Sequence, residues 1–224
     1  MILELCAYNI QSCLVAEKAG ASRIELCTDP TYGGTTPSYG LIQYALYNIS
    51  IPVFPMIRPR GGNFIYDAEE LEIMKKDILA CKELGCTGIA TGIQLPNGHM
   101  DTENMKRLVG LAYPMLVTCH KVFDATPDAH KSLEDVIASG CSRILTSGLR
   151  KTAIEGASVL AQLIDSAAGR IIIMPGGSVR STNIAQLIKE TGAREFHSSG
   201  LTTKEGTFIA NEEEVRMMVQ QLPH

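Results

Sequence analysis

The sequence predicts a (β/α)8 barrel, the TIM-barrel arrangement, as one domain over residues 1–224. Three observations lead there. Strand-like runs and helical stretches alternate eight times, with no linker and no break in composition, and alternating β and α elements imply a parallel sheet that eight units can close. A helix end followed by Gly, a small residue and a short strand recurs at Gly20-Ala21, Gly85-Cys86, Gly140-Cys141 and Gly192-Ala193. The interval of 52 to 65 residues is too long for one βα unit and right for two. Finally, no GxGxxG follows the first strand, so the doubly wound open sheet lacks its sequence signature.

The predicted strands are Ile2–Cys6, Arg23–Cys27, Pro52–Arg58, Gly88–Thr91, Met115–His120, Arg143–Thr146, Ile171–Met174 and Glu195–Ser198. Asn9 caps a helix running to Gly20, which suits the left-handed position that stops it, and Ser38 caps one to about Asn48. Asp67 with Glu70 three residues later starts a long helix to Leu84 in capping-box fashion. Asp101 caps Thr102–Ala112, and further helices are expected over Ala129–Ser139, Thr152–Ala168, Ser181–Thr191 and Asn211–Leu222. At 224 residues the loops of such a barrel must be lean.

The bulk numbers exclude several classes. A net charge of -4 gives no broad basic surface, which argues against a nucleic-acid partner. No apolar run approaches the roughly 20 residues a bilayer span needs, and the start of the chain does not read as a secretory signal. Seven cysteines without close CxxC pairs favour free thiols in a reducing cytoplasm over a disulfide framework or a structural zinc site.

In this fold, chemistry sits where strands end and βα loops begin. In Arg23–Cys27, Ile24 and Leu26 alternate with Glu25 and Cys27, and the text Leu3-Glu4-Leu5-Cys6 repeats the pattern. A carboxylate inside an apolar run is costly without a partner, so Glu4 and Glu25 in paired positions suggest one shared polar centre. They could act as acid and base, or serve as ion partners of Arg58 in a satisfied plug. Arg58 itself offers a planar fork for a carboxylate or phosphate. His120 and His197 stand at strand ends, and His120 could be a general base oriented by Asp124 or a glutamate. The other histidines, His99, His130 and His224, read as surface. Cys6 and Cys27 face each other as a soft pair suited to Cu(I), with Met174 as a candidate thioether; buried packing is the alternative. Cys13, Cys81, Cys86, Cys119 and Cys141 read as packing. Gly176 and Gly177, with Ser178 leading toward a helix, form a candidate anion cradle flanked by Ser147-Gly148; a plain tight turn is the alternative. The end opposite the mouth holds mainly Gly, Ala, Cys and Ser turn residues.

Several stretches resemble the CutC copper-homeostasis family. They are Glu4-Leu5-Cys6, Arg23-Ile24-Glu25-Leu26-Cys27, Gly33-Gly34-Thr35-Thr36-Pro37-Ser38-Tyr39-Gly40 and Met56-Ile57-Arg58-Pro59-Arg60-Gly61-Gly62. His120-Lys121-Val122-Phe123-Asp124, Arg143-Ile144-Leu145-Thr146-Ser147-Gly148, Ile172-Ile173-Met174-Pro175-Gly176-Gly177 and Arg194-Glu195-Phe196-His197 complete the set. The resemblance implies a cytoplasmic barrel, often a homo-oligomer, that binds copper through Cys6 and Cys27 and needs no organic cofactor. Three features depart from the family pattern: Lys121 replaces a usual Arg, Cys119 a common Phe and Asn63 a common Asp. The segment after His197 is also short, which would leave the mouth more open. Two functions follow as expectations. One is a Cu(I)-binding homeostasis protein. The other is a metal-independent lyase or isomerase acting on a small anionic, even phosphorylated, molecule at the mouth, so that the chain's being an enzyme stays open.

Overall fold

The computed structural model describes residues 1–201 and 208–223; His224 and residues 202–207 of the segment after His197 lie outside them. Eight strands, β1 (Ile2–Ala7), β2 (Arg23–Leu26), β3 (Val53–Pro55), β4 (Gly88–Thr91), β5 (Leu116–Cys119), β6 (Arg143–Thr146), β7 (Ile172–Pro175) and β8 (Glu195–Ser198), alternate with eight α-helices. The strands pair in parallel as two four-membered ladders, β3-β2-β1-β8 and β4-β5-β6-β7. A Met56–Ala90 bridge, with Ile57 N–H donating to the Ala90 carbonyl at 2.7 Å, joins β3 to β4. At the other seam β7 lies beside β8 without a backbone ladder among the described residues. The result is a barrel-like (β/α)8 ring joined at one seam by hydrogen bonds and at the other by packing.

Each helix is placed by local chemistry. In α1 (Ile10–Lys18) the Asn9 side chain accepts from Ser12 N–H, and Ser38 does the same for Leu41 in α2 (Tyr39–Asn48). Helix α3 (Ala68–Glu83) has the full reciprocal Asp67–Glu70 capping box. Asp101 and Asp128 cap α4 (Thr102–Ala112) and α5 (Ala129–Ser139). Asn211 caps α8 (Glu212–Gln220).

Two helices begin later than the sequence suggests. Helix α6 (Ala157–Ala167) starts five residues after Thr152, because Gly156 is drawn against the β6 loop, where a Cβ would lie 1.9 Å from the Ser147 carbonyl oxygen. Helix α7 (Ile184–Thr191) starts after Ser181, whose N–H and hydroxyl both donate to Glu214 of α8. Those contacts hold the preceding residues out of helical geometry.

Along every strand the residues alternate between the helix-facing core and the ring interior. Leu3, Leu5, Ile24 and Leu26 belong to the large core beneath the helices, whereas Cys6, Cys27, Met56 and Ala90 form a separate small cluster. The register carries a consequence. Glu4 pairs with Arg23 and Cys6 with Glu25, so the two glutamates are not level, as the repeated text suggests, but offset by one inward step. The stagger that lets a parallel sheet curl into a ring produces this offset.

A candidate metal centre at the C-terminal mouth

The interior is polar in two tiers. Toward the N-terminal ends of the strands, Arg23 donates from Nε to Glu4 and from a terminal nitrogen to Glu195 at 2.6 Å, and Arg143 Nε reaches the same Glu195 oxygen at 3.2 Å. The Phe54 ring lies between the two guanidinium groups, 5.2 Å from Arg23 and 5.5 Å from Arg143. Gly88 makes room for that ring, since a Cβ there would meet it at 2.3 Å. The Met174 thioether accepts from Arg23 at 3.3 Å and so belongs to this tier, away from the cysteine pair to which the sequence reading assigned it. Arg23, Arg143 and Glu195 are the first residues of β2, β6 and β8, just inside the Gly, Ala, Cys and Ser turns of that end.

One turn up, Cys6 and Cys27 present sulfurs 3.9 Å apart, and Cys27 Sγ lies 3.6 Å from Glu25 Oε2. His197 bridges the two glutamates: Nδ1 contacts Glu4 Oε1 at 2.8 Å, and Nε2 stands 3.8 Å from Glu25 Oε2. Donor atoms of Cys6, Glu25 and Cys27 lie within 4.8 Å of one another, as do those of Glu4, Glu25 and His197, and Glu25 is common to both sets. Met56 packs beside the thiols in place of Met174. Above them opens a cleft of about 180 Å³ walled by Cys6, Glu25, Arg58, Phe64, His120 and His197, among others. The β2 loop closes over Cys27 through Gly34, which has φ of +95° and whose Cβ would lie 3.1 Å from Cys27 Sγ.

Protonation follows the contacts. Burial alone would raise the Glu4 pKa; the His197 hydrogen bond and the Arg23 charge overcome it and hold the carboxyl at about 2. Burial pushes Glu25 well up. Against its own burial, His197 is raised well above the usual imidazole range by Glu25, by its hydrogen bond to Cys6 and by Glu4. The hydrogen bond from Cys27 holds the Cys6 thiol well below its ordinary value, and the same contact drives Cys27 up. Cys6 is therefore the more acidic thiol of the pair, and a thiolate is the form that ligates metal.

Other residues stand differently from the sequence reading. Arg58 does not pair with either glutamate. Its guanidinium donates to the carbonyls of Tyr32, Gly34 and Gly62 at 2.7, 2.9 and 2.7 Å and stacks on Phe64 at 4.7 Å, so it pins the β2 and β3 loops together. Asp124 does not orient His120. It accepts from the Thr146 hydroxyl, from Ser147 N–H and hydroxyl, and from Leu149 N–H, filling the β6 loop with its own carboxylate. Ser147 and Gly148 are thereby spent internally, and Gly176 N–H donates to the Thr146 carbonyl. His120 Nδ1 accepts from Val122 N–H at 3.1 Å, which places the ring proton on Nε2; burial and then the Arg58 charge lower its pKa to about 3. His130 is exposed, whereas His99 is half-buried, with Nδ1 unpartnered among the described residues. All seven cysteines are free and buried.

Arg23, Arg143, Glu195, Phe54, Met56, Tyr8 and Phe64 were not singled out from the sequence. A signal for the first two existed: Ser22-Arg23-Ile24 and Ser142-Arg143-Ile144 repeat the same text at two strand starts.

A (β/α)8 protein whose soft and acidic donors converge below a C-terminal cleft is the class this geometry defines. A model of the CutC family matches residues 1–202. A Mus musculus copper homeostasis protein cutC homolog is 43% identical over 204 residues, covering 91% of this chain and 75% of its own length. A CutC family protein of Chromobacterium violaceum is 46% identical over 198 residues, 88% of this chain and 80% of its own. The crystal structure of a Streptococcus agalactiae copper homeostasis protein CutC superposes with a TM-score of 0.84 at 39% identity, covering 89% of this chain and 98% of that one. The chain belongs to the CutC family of copper-homeostasis proteins.

Proposed function

We propose that the protein binds Cu(I) between Cys6 and Cys27 at the floor of the cleft. The observation that carries the reading is the sulfur pair. Two sulfurs 3.9 Å apart can both reach one ion at a metal–thiolate distance of about 2.3 Å without moving. Soft sulfur donors select Cu(I) over hard cations, and the lowered pKa of Cys6 favours its thiolate on binding. Glu25 Oε2, 3.6 Å from Cys27 Sγ, stands ready as a weaker third donor, with the ligand protons released on binding. The mouse homolog's name, a copper homeostasis protein, supports the same cargo.

A buried pair under a narrow cleft fits retention and handover to a thiol-bearing partner better than passive buffering on the surface. Thiols that stay reduced fit a cytoplasmic location, and we take the protein to work there, as a homo-oligomer of one-domain subunits. The test is a Cu(I) competition titration under strict reduction. One equivalent should bind tightly to the wild-type chain and be lost in the Cys6→Ser, Cys27→Ser double variant. Unchanged affinity in that variant defeats the reading, and stronger retention of Zn²⁺ than of Cu(I) would reassign the metal.

A further inference from the structure

Copper needs only the floor of the cleft. Its upper part is built for something else, and we infer that it is a binding site for a small hydroxylated oxyanion, a hydroxy-carboxylate or a small phosphate ester, distinct from the metal. This goes beyond the copper reading and does not depend on it.

Two observations point independently to a ligand. First, two residues of the cleft wall each carry a buried polar atom with no partner among the described residues: His120 Nε2, on a residue 2% exposed, and Glu25 Oε1, on one 3% exposed. Because His120 Nδ1 already accepts from Val122, Nε2 carries the hydrogen and is a donor; Glu25 Oε1 accepts when the carboxyl is ionised and donates when it is protonated, and a hydroxyl can meet either form. One hydroxyl group, which both accepts and donates, satisfies the pair. Second, Lys121 lines the cleft, and the Gly177-Ser178 turn lies beside its ammonium on the β7 side. Gly177 and Ser178 both have positive φ, +102° and +58°, and neither N–H has a hydrogen-bond acceptor among the described residues. A Cβ on Gly177 would lie 3.3 Å from Lys121 Nζ, so the ammonium stands directly over that turn. Lys121 Nζ lies 3.3 Å from Asp124 and 3.4 Å from the Ser147 hydroxyl, and this half-exposed ammonium keeps its third donor for a ligand.

Between these poles Phe64 offers a flat apolar wall, its ring tilted 47° against His120 with centroids 5.0 Å apart. A volume of about 180 Å³ is far more than a single water needs and suits a small organic molecule. The lining therefore asks for an oxyanion at Lys121, a short carbon body against Phe64, and a hydroxyl toward His120 and Glu25.

Calorimetric titration of the reduced, metal-free full chain tests this with lactate, glycerate, glycerol 3-phosphate, propionate and inorganic phosphate as probes. The expected result is saturable binding of at least one hydroxylated anion, with lactate at least tenfold tighter than propionate, its hydroxyl-free counterpart. The ratio of glycerate to glycerol 3-phosphate tells carboxylate from phosphate. Lys121→Gln, at the rim and harmless to the core, should weaken binding at least tenfold. His120→Asn should erase the lactate–propionate difference, and the Cys6→Ser, Cys27→Ser variant should bind the anion as wild type does. No saturable binding of any hydroxylated probe, propionate equal to lactate, inorganic phosphate alone matching the best probe, or an indifferent Lys121→Gln variant each overturns the proposal. Because the copper reading is decided in the double cysteine variant by metal affinity alone, the two can fail separately.

Discussion

The two tiers of the barrel interior use the same residue types to opposite ends. In the lower tier Arg23, Arg143, Glu4 and Glu195 are fully occupied with one another around Phe54. In the upper tier Glu25 and His120 line the cleft and each keeps one buried atom, Oε1 and Nε2, with no partner among the described residues. A buried ion pair with its hydrogen bonds complete fixes one arrangement of the strands; a buried group left open is held for something that arrives. His197 belongs to both tiers, through Glu4 below and Glu25 above, and transmits the fixed lower geometry to the floor of the site.

If that division is right, damage below should cost stability and damage above should cost binding. The largest effect is expected for Arg23→Met. It leaves Glu4 with His197 alone and Glu195 with Arg143 alone, and breaking one side of a buried pair costs about 3–5 kcal/mol. Urea denaturation should show the midpoint falling with little change in slope; a loss under 1 kcal/mol would show that the lower tier is no keystone. Next comes Gly88→Ala. The new methyl group would collide with the Phe54 ring held between two arginines that cannot yield, so overpacking should cost about 1–3 kcal/mol. Thermal unfolding measures it, and a neutral outcome would mean that the Phe54 sandwich is loose.

The order of elements was legible because it depends on local signals. Strand alternation, the capping box at Asp67 and the glycines after helix ends at Gly85 and Gly140 all act within a few residues. Cys6, Cys27, Glu25 and His197 could be assigned to one mouth because strand-end position in a barrel is a matter of counting. Partner choice was not legible. Whether Arg58 meets Glu25 or three loop carbonyls depends on how the β2 and β3 loops fold over each other, and no spacing encodes that. The same holds for Asp124, whose carboxylate turned inward to fill the β6 loop where the sequence suggested an open cradle. The offset of Glu4 from Glu25 is a property of ring stagger, which repeated strand text conceals.

A smaller and pH-specific effect separates the tiers further. His120 has its pKa lowered from the ordinary 6.5 to about 3 by burial and the Arg58 charge, so below pH 6.5 the unfolded chain takes up a proton that the folded chain refuses. Its contribution is thus neutral above pH 6.5 and destabilising as pH falls toward 3. The slope of at most about 1.4 kcal/mol per pH unit amounts to about 2 kcal/mol at pH 5. His120→Asn keeps an acceptor for Val122 N–H and removes the titration. The difference between variant and wild type should therefore move in the variant's favour between pH 7 and 5; parallel pH curves for the two would place His120 in contact with water.

The smallest stability change is expected for Glu25→Gln, and it is the sharpest test of the comparison. Burial already disfavours the Glu25 anion, Oε1 has no partner to lose, and the remaining contacts of Oε2, to Cys27 at 3.6 Å and His197 at 3.8 Å, are long. An amide of the same shape should therefore leave stability within about 1 kcal/mol of wild type, the net value of an ordinary hydrogen bond. Binding should respond instead: the amide lacks a carboxylate for the metal, so Cu(I) affinity should fall by about tenfold or more. Equal losses from Glu25→Gln and Arg23→Met in denaturation would mean that both glutamate tiers are one structural plug. A large loss of metal affinity at nearly wild-type stability would instead locate the boundary between scaffold and site at the His197 ring.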